Sequence, residues 1–438
     1  MALIVQKYGG SSVSDVEAIK RVAKRIVETR NAGHKLVVVV SAMGDTTDEL
    51  LDTAAQITDN APEREMDILL TAGERISMSL MSMAINELGV PAQAFTGAQA
   101  GIHTTSAYGR AQITGMVPER VARSISEGQV AIVAGFQGIS DDDDVTTLGR
   151  GGSDTTAVAL AAALHADVCE IYTDVDGLFS ADPRIVAKAH RLRSISTEET
   201  LELAAHGAKI LHLRAVEFAR RYKVPLHVRS SFSEKDGTWI SDRPASPALK
   251  GLVPDAAFLD PKEGKMEQPI ISGIAHDRGQ DKITVAGVPN HPGRAAMVFQ
   301  TIAAAGANID MIVQNIPVAD PTRANITFTI PEADAQVALD ALESAKEEIG
   351  FKEVRYNPNI GKLSLVGTGM RTNPGVAARL FAALSEAGIN IDLISSSEIR
   401  LSIVTKLDDL DRAVAVVHSA FGLDAEVSEA VVYAGTGR

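Results

Sequence analysis

The chain has 438 residues, enough for two or three domains, and 45% of them are hydrophobic, as in ordinary globular proteins. Its net charge of −14 argues against nucleic acid or an anionic membrane as a partner, because both require a basic surface. The single cysteine, Cys169, lies in an apolar run, so we expect a buried thiol, no intrachain disulfide and a reducing, cytoplasmic setting. No run approaches the roughly 20 apolar residues of a membrane span, and the N-terminus lacks the basic region of a signal peptide.

The first forty residues predict a strand, a glycine turn, a helix and a second strand. The segment Ile4–Val13, IVQKYGGSSV, is an apolar run that ends in a lysine, two glycines and two serines. Ser14–Glu17 matches a capping box at the start of a helix, which Gly33 ends. Leu36–Val40, LVVVV, is typical of a strand buried on both faces. This order predicts a βαβ unit in a parallel sheet.

The following elements alternate in the same way. In chain order, the predicted elements are helix Met66–Leu88, strand Gln93–Phe95, strand Val130–Ala134, helix Asp154–Leu164, strand Val168–Tyr172, helix Glu198–Tyr222 and strand Leu226–Arg229. They predict an open αβα sandwich with a mainly parallel sheet over residues 1–243. Ligands of such folds bind at the carboxyl ends of the strands. Polar clusters stand there in this chain, at Lys7–Ser12, Ser41–Thr47, Gly135–Gly138 and Thr173–Gly177.

A proline-containing stretch, residues 244–268, is expected to be a linker, and an internal repeat follows it. His291–Ile312 and Asn373–Ile394 align with half of their positions identical, including Pro-Gly, Ala-Gly and Asn-Ile-Asp. Each copy reads as a strand, a helix that opens at Pro-Gly, two strands and a second helix. The repeat predicts two ferredoxin-like βαββαβ modules, over residues 269–350 and 351–438.

Two glycine-rich turns predict anion binding at one edge of the sheet. Gly9, Gly10 and the two serines that follow would offer backbone N–H groups and hydroxyls to a phosphate, with Lys7 as a point charge. The segment TTLGRGGSD, residues 146–154, runs into a helix and brings Arg150 and Asp154. The structural alternative for the first turn is a tight turn with a lysine that reaches solvent. The four aspartates Asp141–Asp144 are interpreted as a solvated loop rather than a metal site.

The motifs KYGGSSV, LTAGE (Leu70–Glu74), TTLGRGGSD and YTDVDGLFSADPR (Tyr172–Arg184) together resemble the aspartokinases, which are amino-acid kinases with C-terminal ACT domains. The resemblance covers nearly the whole chain. It implies ATP-dependent phosphorylation of the β-carboxylate of L-aspartate to 4-phospho-L-aspartate, the first step of lysine, threonine and methionine biosynthesis. A carboxylate is already ionised at pH 7 and needs no general base, which agrees with loops that contain no histidine.

The resemblance also implies residue roles. Lys7 would stabilise charge on the transferred group and Asp154 would orient the lysines and the substrate. The ATP-binding residues would be Lys7, Gly9, Gly10, Ser11, Ser41, Thr173, Asp174, Phe179, Asp182, Arg184 and Lys209. The aspartate-binding residues would be Thr47, Glu74, Arg150, Gly151, Gly152 and Ser153. The alternatives are a solvated helix carboxylate for Glu74 and surface cations for Lys209 and Arg184. Mg²⁺ would arrive with ATP, with no dedicated metal site in the protein.

By the same resemblance, the ACT modules would bind lysine, threonine or both as feedback inhibitors and would pair in a homo-oligomer. The effector site would comprise Asn290, Gly293, Ala295, Gln314, Asn390 and Ile391. Pro-Gly at a helix start leaves N–H groups for a carboxylate, and Asn-Ile-Asp offers polar groups for an ammonium. The alternative is that these turns are purely structural.

Two other functions compete with this interpretation. An amino-acid kinase that acts on glutamate, carbamate or a nucleoside monophosphate would share the sheet, but is not expected to combine KYGG, GRGGSD and two ACT modules. A non-catalytic amino-acid sensor would keep the modules, but has no need of Lys7 and Asp154. Aspartate-dependent release of ADP separates the enzyme from the sensor.

Overall fold

The computed structural model describes residues 1–208, 210–253, 271–368, 370, 373, 375–425 and 431–433. Lys209 and most of the expected linker lie outside the described residues. The chain divides into two compact units. The first comprises Met1–Pro183, Ala187–Gln268 and Ala425–Arg438, and the second comprises Arg184–Val186 and Pro269–Asp424.

The first unit alternates strands and helices. Its strands are β1 (Leu3–Tyr8), β2 (Lys35–Val40), β3 (Ala92–Phe95), β4 (Ile102–Thr104), β5 (Ile113–Met116), β6 (Val130–Ala134), β7 (Gln137–Ile139), β8 (Val145–Thr147), β9 (Val168–Thr173), β10 (Ser194–Ile195), β11 (Leu226–Ser230) and β12 (Thr238–Ile240). Its helices are α1 (Val16–Asn31), α2 (Thr46–Ala55), α3 (Glu63–Leu70), α4 (Ala72–Glu87), α5 (Glu119–Ser126), α6 (Gly152–Ala163), α7 (Thr197–Ala205) and α8 (Leu213–Tyr222), with 3₁₀ turns at Gly10–Val13 and Pro247–Leu249.

The main sheet has eight strands in the order β10-β12-β11-β9-β1-β2-β6-β3, and each neighbouring pair is parallel except β11 with β12. Helices α1 and α4 cover one face, where Ile26 and Met81 pack against Ile4, Leu36 and their neighbours. Helix α6 packs on the opposite face, against β1, β2 and β9. The predicted αβα sandwich with a mainly parallel sheet is therefore confirmed.

Several predicted helices have different limits in the structure. The predicted helix Glu198–Tyr222 is two helices, because Gly207 adopts a φ of 110° that ends α7. The predicted helix Met66–Leu88 is also divided, into α3 and α4, at Thr71. The predicted capping box at Ser14 is wrong, since the cap of α1 is Asp15, whose side chain accepts a 2.8 Å hydrogen bond from the Ala18 N–H.

A smaller sheet, in the order β5-β4-β7-β8, was not predicted from the sequence. Its strands have only three or four residues, too few for an apolar period to show. Its last strand, β8, leads directly into the second glycine-rich turn. The stretch Glu63–Glu87, which comprises α3 and α4, is long and apolar enough to cross a membrane by length and composition alone, but Met78, Met81 and Ile85 within it belong to the core of the main sheet.

The second unit contains two four-stranded antiparallel sheets. Its strands are β13 (Gly273–Asp277), β14 (Gln280–Pro289), β15 (Asp310–Asn315), β16 (Arg323–Pro331), β17 (Glu353–Asn357), β18 (Ile360–Val366), β19 (Leu393–Ser396) and β20 (Arg400–Lys406). Its helices are α9 (Arg294–Ala304), α10 (Glu332–Ser344), α11 (Lys346–Ile349), α12 (Val376–Glu386) and α13 (Leu410–Ala420), with a 3₁₀ turn at Leu407–Asp409.

The two sheets have equivalent strand orders, but one outer strand of the second sheet comes from the part of the chain that precedes the first module. The orders are β15-β16-β14-β17 and β19-β20-β18-β13. The first copy is βαββαβ as predicted, whereas in the second β13 lies beside β18, in the place that β17 takes beside β14. The chain therefore enters the second sheet, builds the first module and returns. Strand β13 therefore precedes residue 350, the boundary that the repeat suggests, but belongs to the sheet of the second module.

Two ion pairs between described residues also connect the modules. Lys282 of the first copy lies 2.7 Å from Asp392 of the second, and Lys362 of the second lies 2.8 Å from Asp310 of the first. The two aspartates close the Asn-Ile-Asp repeats. Their carboxylates, interpreted from the sequence as groups for an effector's ammonium, contact the chain's own ammonium groups instead.

Candidate active site

The structure brings Lys7 and Asp154 together, although they are 147 residues apart in the sequence. Lys7 lies near the end of β1 and Asp154 in the first turn of α6, and the Lys7 Nζ is 2.6 Å from the Asp154 Oδ1. Their side chains keep 13% and 11% of their surface exposed. A cation and a carboxylate that are nearly buried, yet still reachable, can act on a ligand at the edge of the sheet.

The first glycine-rich turn is a tightly packed backbone cradle beside this pair. A Cβ on Gly10 would lie 3.0 Å from the carbonyl oxygen of Gly44, and one on Gly9 would lie 3.2 Å from the Lys7 Nζ. Ser11 is half-buried, whereas the Oγ of Ser12 is fully buried and has no hydrogen-bond partner among the described residues. An orphaned hydroxyl among close-packed glycines suits an oxygen-rich ligand such as a phosphate.

The second turn packs just as closely. Gly151 has a φ of 68°, and a Cβ there would lie 2.0 Å from the Cγ of His212. Gly135 directly follows β6, and a Cβ on Gly135 would lie 2.6 Å from the Oγ of Ser153. Gly152 and Ser153 are buried in the first turn of α6, while Arg150 is exposed. The turn therefore holds its backbone rigidly and leaves the guanidinium free to reach a ligand.

Glu74 is a buried carboxylate at the junction of β2 and α4. Its Oε1 accepts a 3.1 Å hydrogen bond from the Ala42 N–H, and its Oε2 has no partner in the described part of the chain. Burial raises the pKa of this carboxyl to about 7. The Oγ of Ser77 donates to the carbonyl oxygen of Ser41, which ties the same strand end to α4. Thr47 is half-buried in the first turn of α2.

The loop after β9 continues the same sheet edge, because β9 pairs with β1. The Thr173 hydroxyl donates to Asp174, and the Thr173 carbonyl oxygen accepts from the Ser231 N–H at 3.0 Å. Phe179 is buried, Asp182 is half-buried and Arg184 is exposed. Arg184 groups with the second unit.

The sequence analysis missed Asp67, which fixes the approach to the second turn. This carboxylate is 1% exposed on α3. It accepts hydrogen bonds from the backbone N–H and the hydroxyl of Thr147, at 2.8 and 2.7 Å, and from the Gly109 N–H. A lone aspartate in the apolar stretch MDILL was the available signal, since a carboxylate is buried only where it is paired.

A second missed group lies on the opposite face of β1 and β9. The carboxylate of Glu170 accepts hydrogen bonds from Gln6 and Tyr172, and Nδ1 of His227 and a guanidinium nitrogen of Arg229 lie 3.5 and 3.6 Å from it. Burial alone would raise the pKa of Glu170, but His227 and Arg229 outweigh it and hold the value at about 2. This anion braces the strands that carry Lys7 and Thr173.

The second unit contains a separate cavity of about 380 Å³ at the Pro-Gly start of α9. Asn290, Gly293, Ala295 and Gln314 line it, whereas Asn390 and Ile391 are not among its lining residues. Gly293 adopts a φ of 96°, and Asn290 donates to the carbonyl oxygen of Pro321. The cavity is large enough for a small amino acid and presents a helix start to its carboxylate.

The residues that the structure describes contain no group of three or more His, Cys, Asp or Glu side chains arranged to hold a metal ion. Cys169 is fully buried, and burial raises the pKa of its thiol, as expected for a core residue. Asp144 of the acidic run is paired with Arg64 at 2.6 Å rather than only solvated.

Comparison with known proteins assigns both units. Residues 2–230 match the amino acid kinase family, and residues 283–345 and 363–421 match the ACT domain. Over the full length of both chains, the protein is 57% identical to an aspartokinase of Mycolicibacterium smegmatis, 54% to one of Mycobacterium tuberculosis and 52% to one of Corynebacterium glutamicum.

Solved structures give the same result. Aspartokinase III of E. coli, in complex with aspartate and ADP, superposes with a TM-score of 0.78 at 25% identity, covering 95% of this chain and 99% of the other. An aspartate kinase from Synechocystis is 42% identical, with a TM-score of 0.52, covering 98% of this chain and 71% of the other. An amino-acid-kinase sheet, two ACT modules and full-length identity above 50% agree: the chain belongs to the aspartokinase family and is an aspartate kinase.

Proposed function

We propose that the enzyme transfers the γ-phosphoryl group of ATP to the β-carboxylate of L-aspartate, giving 4-phospho-L-aspartate and ADP. The observation that carries this proposal is the 2.6 Å contact of Lys7 with Asp154 between two glycine-rich turns. The carboxylate oxygen forms the new bond to phosphorus as the bond from phosphorus to the ADP oxygen breaks. No proton has to move, because the acceptor is already ionised.

The catalytic roles follow from charge. Lys7 would stabilise the negative charge that spreads over the transferred phosphoryl group, and Asp154 would hold its ammonium in place. The Arg150 guanidinium would clamp a carboxylate of aspartate, beside Gly151, Gly152 and Ser153. Glu74 would face the ammonium of the substrate together with Thr47. An approaching ammonium would favour the ionised form of Glu74, whose pKa is about 7 without a ligand.

The nucleotide would lie along the edge formed by the first turn and the loop after β9. We propose the following residues for it: Gly9, Gly10, Ser11, Ser41, Thr173, Asp174, Phe179, Asp182, Arg184 and Lys209. To these we add Ser12, on the basis of its buried and unpartnered hydroxyl. The E. coli relative was solved with ADP and aspartate together, which supports a shared cleft for the two substrates.

The residues present fit a magnesium ion that is carried by the nucleotide. Without a cluster of metal-ligating side chains in the described residues, ATP phosphates and water would supply most of its ligands, with oxygen donors such as Ser12 nearby. When bound, Mg²⁺ supplies charge neutralisation on the β- and γ-phosphates. The protein's own part is to align the phosphates through Gly9, Gly10 and Lys7.

Feedback control would act through the ACT modules. We propose lysine, threonine or both as effectors at the cavity lined by Asn290, Gly293, Ala295 and Gln314, with Asn390 and Ile391 contributed from a second module in a homo-oligomer. The E. coli relative was also solved with lysine and aspartate, which supports an amino-acid effector. The reaction would be the first step of lysine, threonine and methionine biosynthesis in the cytoplasm.

The test is an assay of ADP release from ATP with and without L-aspartate, with hydroxylamine present to trap the acyl phosphate as a hydroxamate. We expect aspartate-dependent ADP and hydroxamate in equal amounts. Glutamate and carbamate serve as control acceptors. ADP release that does not depend on aspartate contradicts the proposal. Adding lysine or threonine at millimolar concentration tests the regulation, and unchanged activity with both would remove them as effectors.

A further inference from the structure

The chain returns to the first unit after the second ACT module, and the returning segment contacts the loop after β9. Helix α13 belongs to the second unit, and residues from Ala425 onward group with the first. Val432 forms an antiparallel bridge with Val175, and the Tyr433 N–H donates to the carbonyl oxygen of Asp174 at 3.0 Å. The segment Val431–Tyr433 therefore pairs with this loop through an isolated backbone bridge and one further backbone hydrogen bond.

The side chain of Tyr433 extends the contact. Its ring stacks on that of Phe232, with centroids 5.9 Å apart and an angle of 12° between the planes. The guanidinium of Arg21 lies 4.8 Å from the centroid of the same Phe232 ring. The Tyr433 hydroxyl donates to the Oδ2 of Asp176 at 3.3 Å. Three consecutive loop residues, Asp174, Val175 and Asp176, thus each contact the segment.

Asp176 anchors this arrangement. Its carboxylate is 2% exposed and accepts hydrogen bonds from the Oγ of Ser233 at 2.5 Å and the Nζ of Lys235 at 3.0 Å. The hydrogen bond to Asp176 raises the pKa of Lys235, which keeps that ammonium charged. A buried anion, an aromatic stack and a backbone bridge therefore hold the loop and the segment together.

We propose that Val431–Tyr433 is a positioning element for the nucleotide-binding loop, with Tyr433 as its anchor. This inference rests on the proposed function, in which Thr173 and Asp174 bind ATP. Tyr433 would act through Asp174–Asp176 and would not touch the reacting atoms. Losing the anchor should therefore weaken nucleotide binding, while the binding of aspartate and the chemical step change little.

The experiment compares Tyr433→Ala and Tyr433→Phe with Tyr222→Ala in the full-length enzyme. Tyr222 is a matched control, because it is a partly exposed tyrosine of the same unit whose ring lies 5.7 Å from that of Phe218. The primary measurement is ADP binding by titration calorimetry, with the KM for ATP, the KM for aspartate and kcat measured alongside. Amide hydrogen exchange at residues 174–176 reports docking independently of nucleotide.

We expect Tyr433→Ala to weaken ADP binding and raise the KM for ATP by about 5- to 20-fold, from the loss of the ring stack and of the hydrogen bond to Asp176. Exchange at residues 174–176 should become faster, while kcat and the KM for aspartate stay within about twofold. Tyr433→Phe, which keeps the ring, should stay within about threefold of wild type, and Tyr222→Ala should match wild type.

Each contrary result has a distinct meaning. Unchanged exchange in Tyr433→Ala overturns the docking, and faster exchange with unchanged ADP binding overturns the positioning role. An equal loss of kcat and of both substrate affinities would indicate a merely structural residue and also overturns it. Aspartate-independent ADP release in the wild type would contradict the proposed function but not the positioning role of Tyr433. ADP binding and amide exchange would still test that role.

Discussion

Lys362 and Asp310 form an ion pair between the two ACT modules in which the lysine is almost completely removed from solvent. The side chain of Lys362 is 1% exposed, and its Nζ lies 2.8 Å from the Asp310 Oδ2. The equivalent pair, Lys282 with Asp392, is closer to the surface, at 20% and 27% exposure. Reciprocal contacts of this kind are those that a twofold relationship between two copies produces. The two ion pairs use equivalent aspartates of the sequence repeat, but the lysine of the first pair is more completely removed from water, so its desolvation costs more free energy.

Replacing Asp310 by Asn should destabilise the second unit, because it leaves the Lys362 ammonium buried without an anion. We expect a loss of about 2–3 kcal/mol, below the range of fully buried pairs since Asp310 is one-third exposed. The measurement is urea unfolding followed by far-UV circular dichroism. The only tryptophan, Trp239, lies in the first unit, so its fluorescence follows that unit separately.

The matched control is Asp392→Asn at the more exposed pair, where the loss should be about 1 kcal/mol or less. Equal losses at the two sites would show that the burial of Lys362 does not set the cost. Replacing Lys362 by Met in the Asp310→Asn background should restore most of the stability, because it removes the unpaired charge.

Replacing Lys7 by Ala should lower kcat about 100- to 1,000-fold, as single electrostatic stabilisers do in other enzymes. The ammonium lies at the tip of β1, 2.6 Å from Asp154, where the transferred group is proposed to pass. Steady-state kinetics at saturating ATP and aspartate measure the change. Lys20→Ala is the control, since Lys20 is 59% exposed and pairs with its helix neighbour Glu17. A near-normal rate for Lys7→Ala would remove Lys7 from the mechanism.

The position of Lys7 at the sheet edge follows from features that the sequence displays. Continuous apolar runs such as Leu36–Val40 have few alternatives to a strand buried on both faces, and parallel strands place their carboxyl ends at one edge. The first glycine-rich turn follows such a strand, β1, whereas the second follows β8 of the small sheet, so this pattern places only the first turn. The two modules could also be predicted, because the internal repeat shows the apolar period of a helix within each copy.

The supporting groups could not be predicted in that way, because their partners are distant in sequence. Asp67 is held by Thr147, 80 residues away, and Glu170 by Gln6, 164 residues away. Whether such carboxylates are buried depends on tertiary packing that no local pattern encodes. The position of β13 is a similar case. Local spacing favours a hairpin of Gly273–Asp277 with the strand that follows it, but packing places it in the other sheet.

Replacing Glu74 by Gln should change how stability depends on pH. Burial raises the pKa of Glu74 from 4.5 to about 7, so the unfolded chain releases a proton between these values that the folded chain retains. The wild type therefore loses stability as the pH rises from 4.5 to 7, by about 3 kcal/mol in total. The Gln variant lacks this loss and can still accept from the Ala42 N–H.

The free energy of unfolding of the first unit, followed by Trp239 fluorescence in urea, measures the effect. At pH 4.5 the two proteins should be similar, and at pH 8 the Gln variant should be more stable. A difference between wild type and variant that stays constant from pH 4.5 to pH 8 would mean that Glu74 titrates alike in the folded and unfolded chains.

Replacing Gly151 by Ala should disable the second glycine-rich turn. The φ of 68° disfavours a side chain, and the new Cβ would lie 2.0 Å from the Cγ of His212, so the turn or the imidazole has to move. Since Arg150 and Asp154 flank this residue, a displacement of about 1 Å should lower kcat/KM for aspartate about 100-fold. Gly89→Ala is the matched control: its φ is 81°, but no atom of the residues that the structure describes, apart from its own chain neighbours, lies within 4 Å of an added Cβ. That variant should lose about 1–2 kcal/mol of stability and keep its activity. If both variants were equally active, the turn would not need the close packing against His212 that the structure shows.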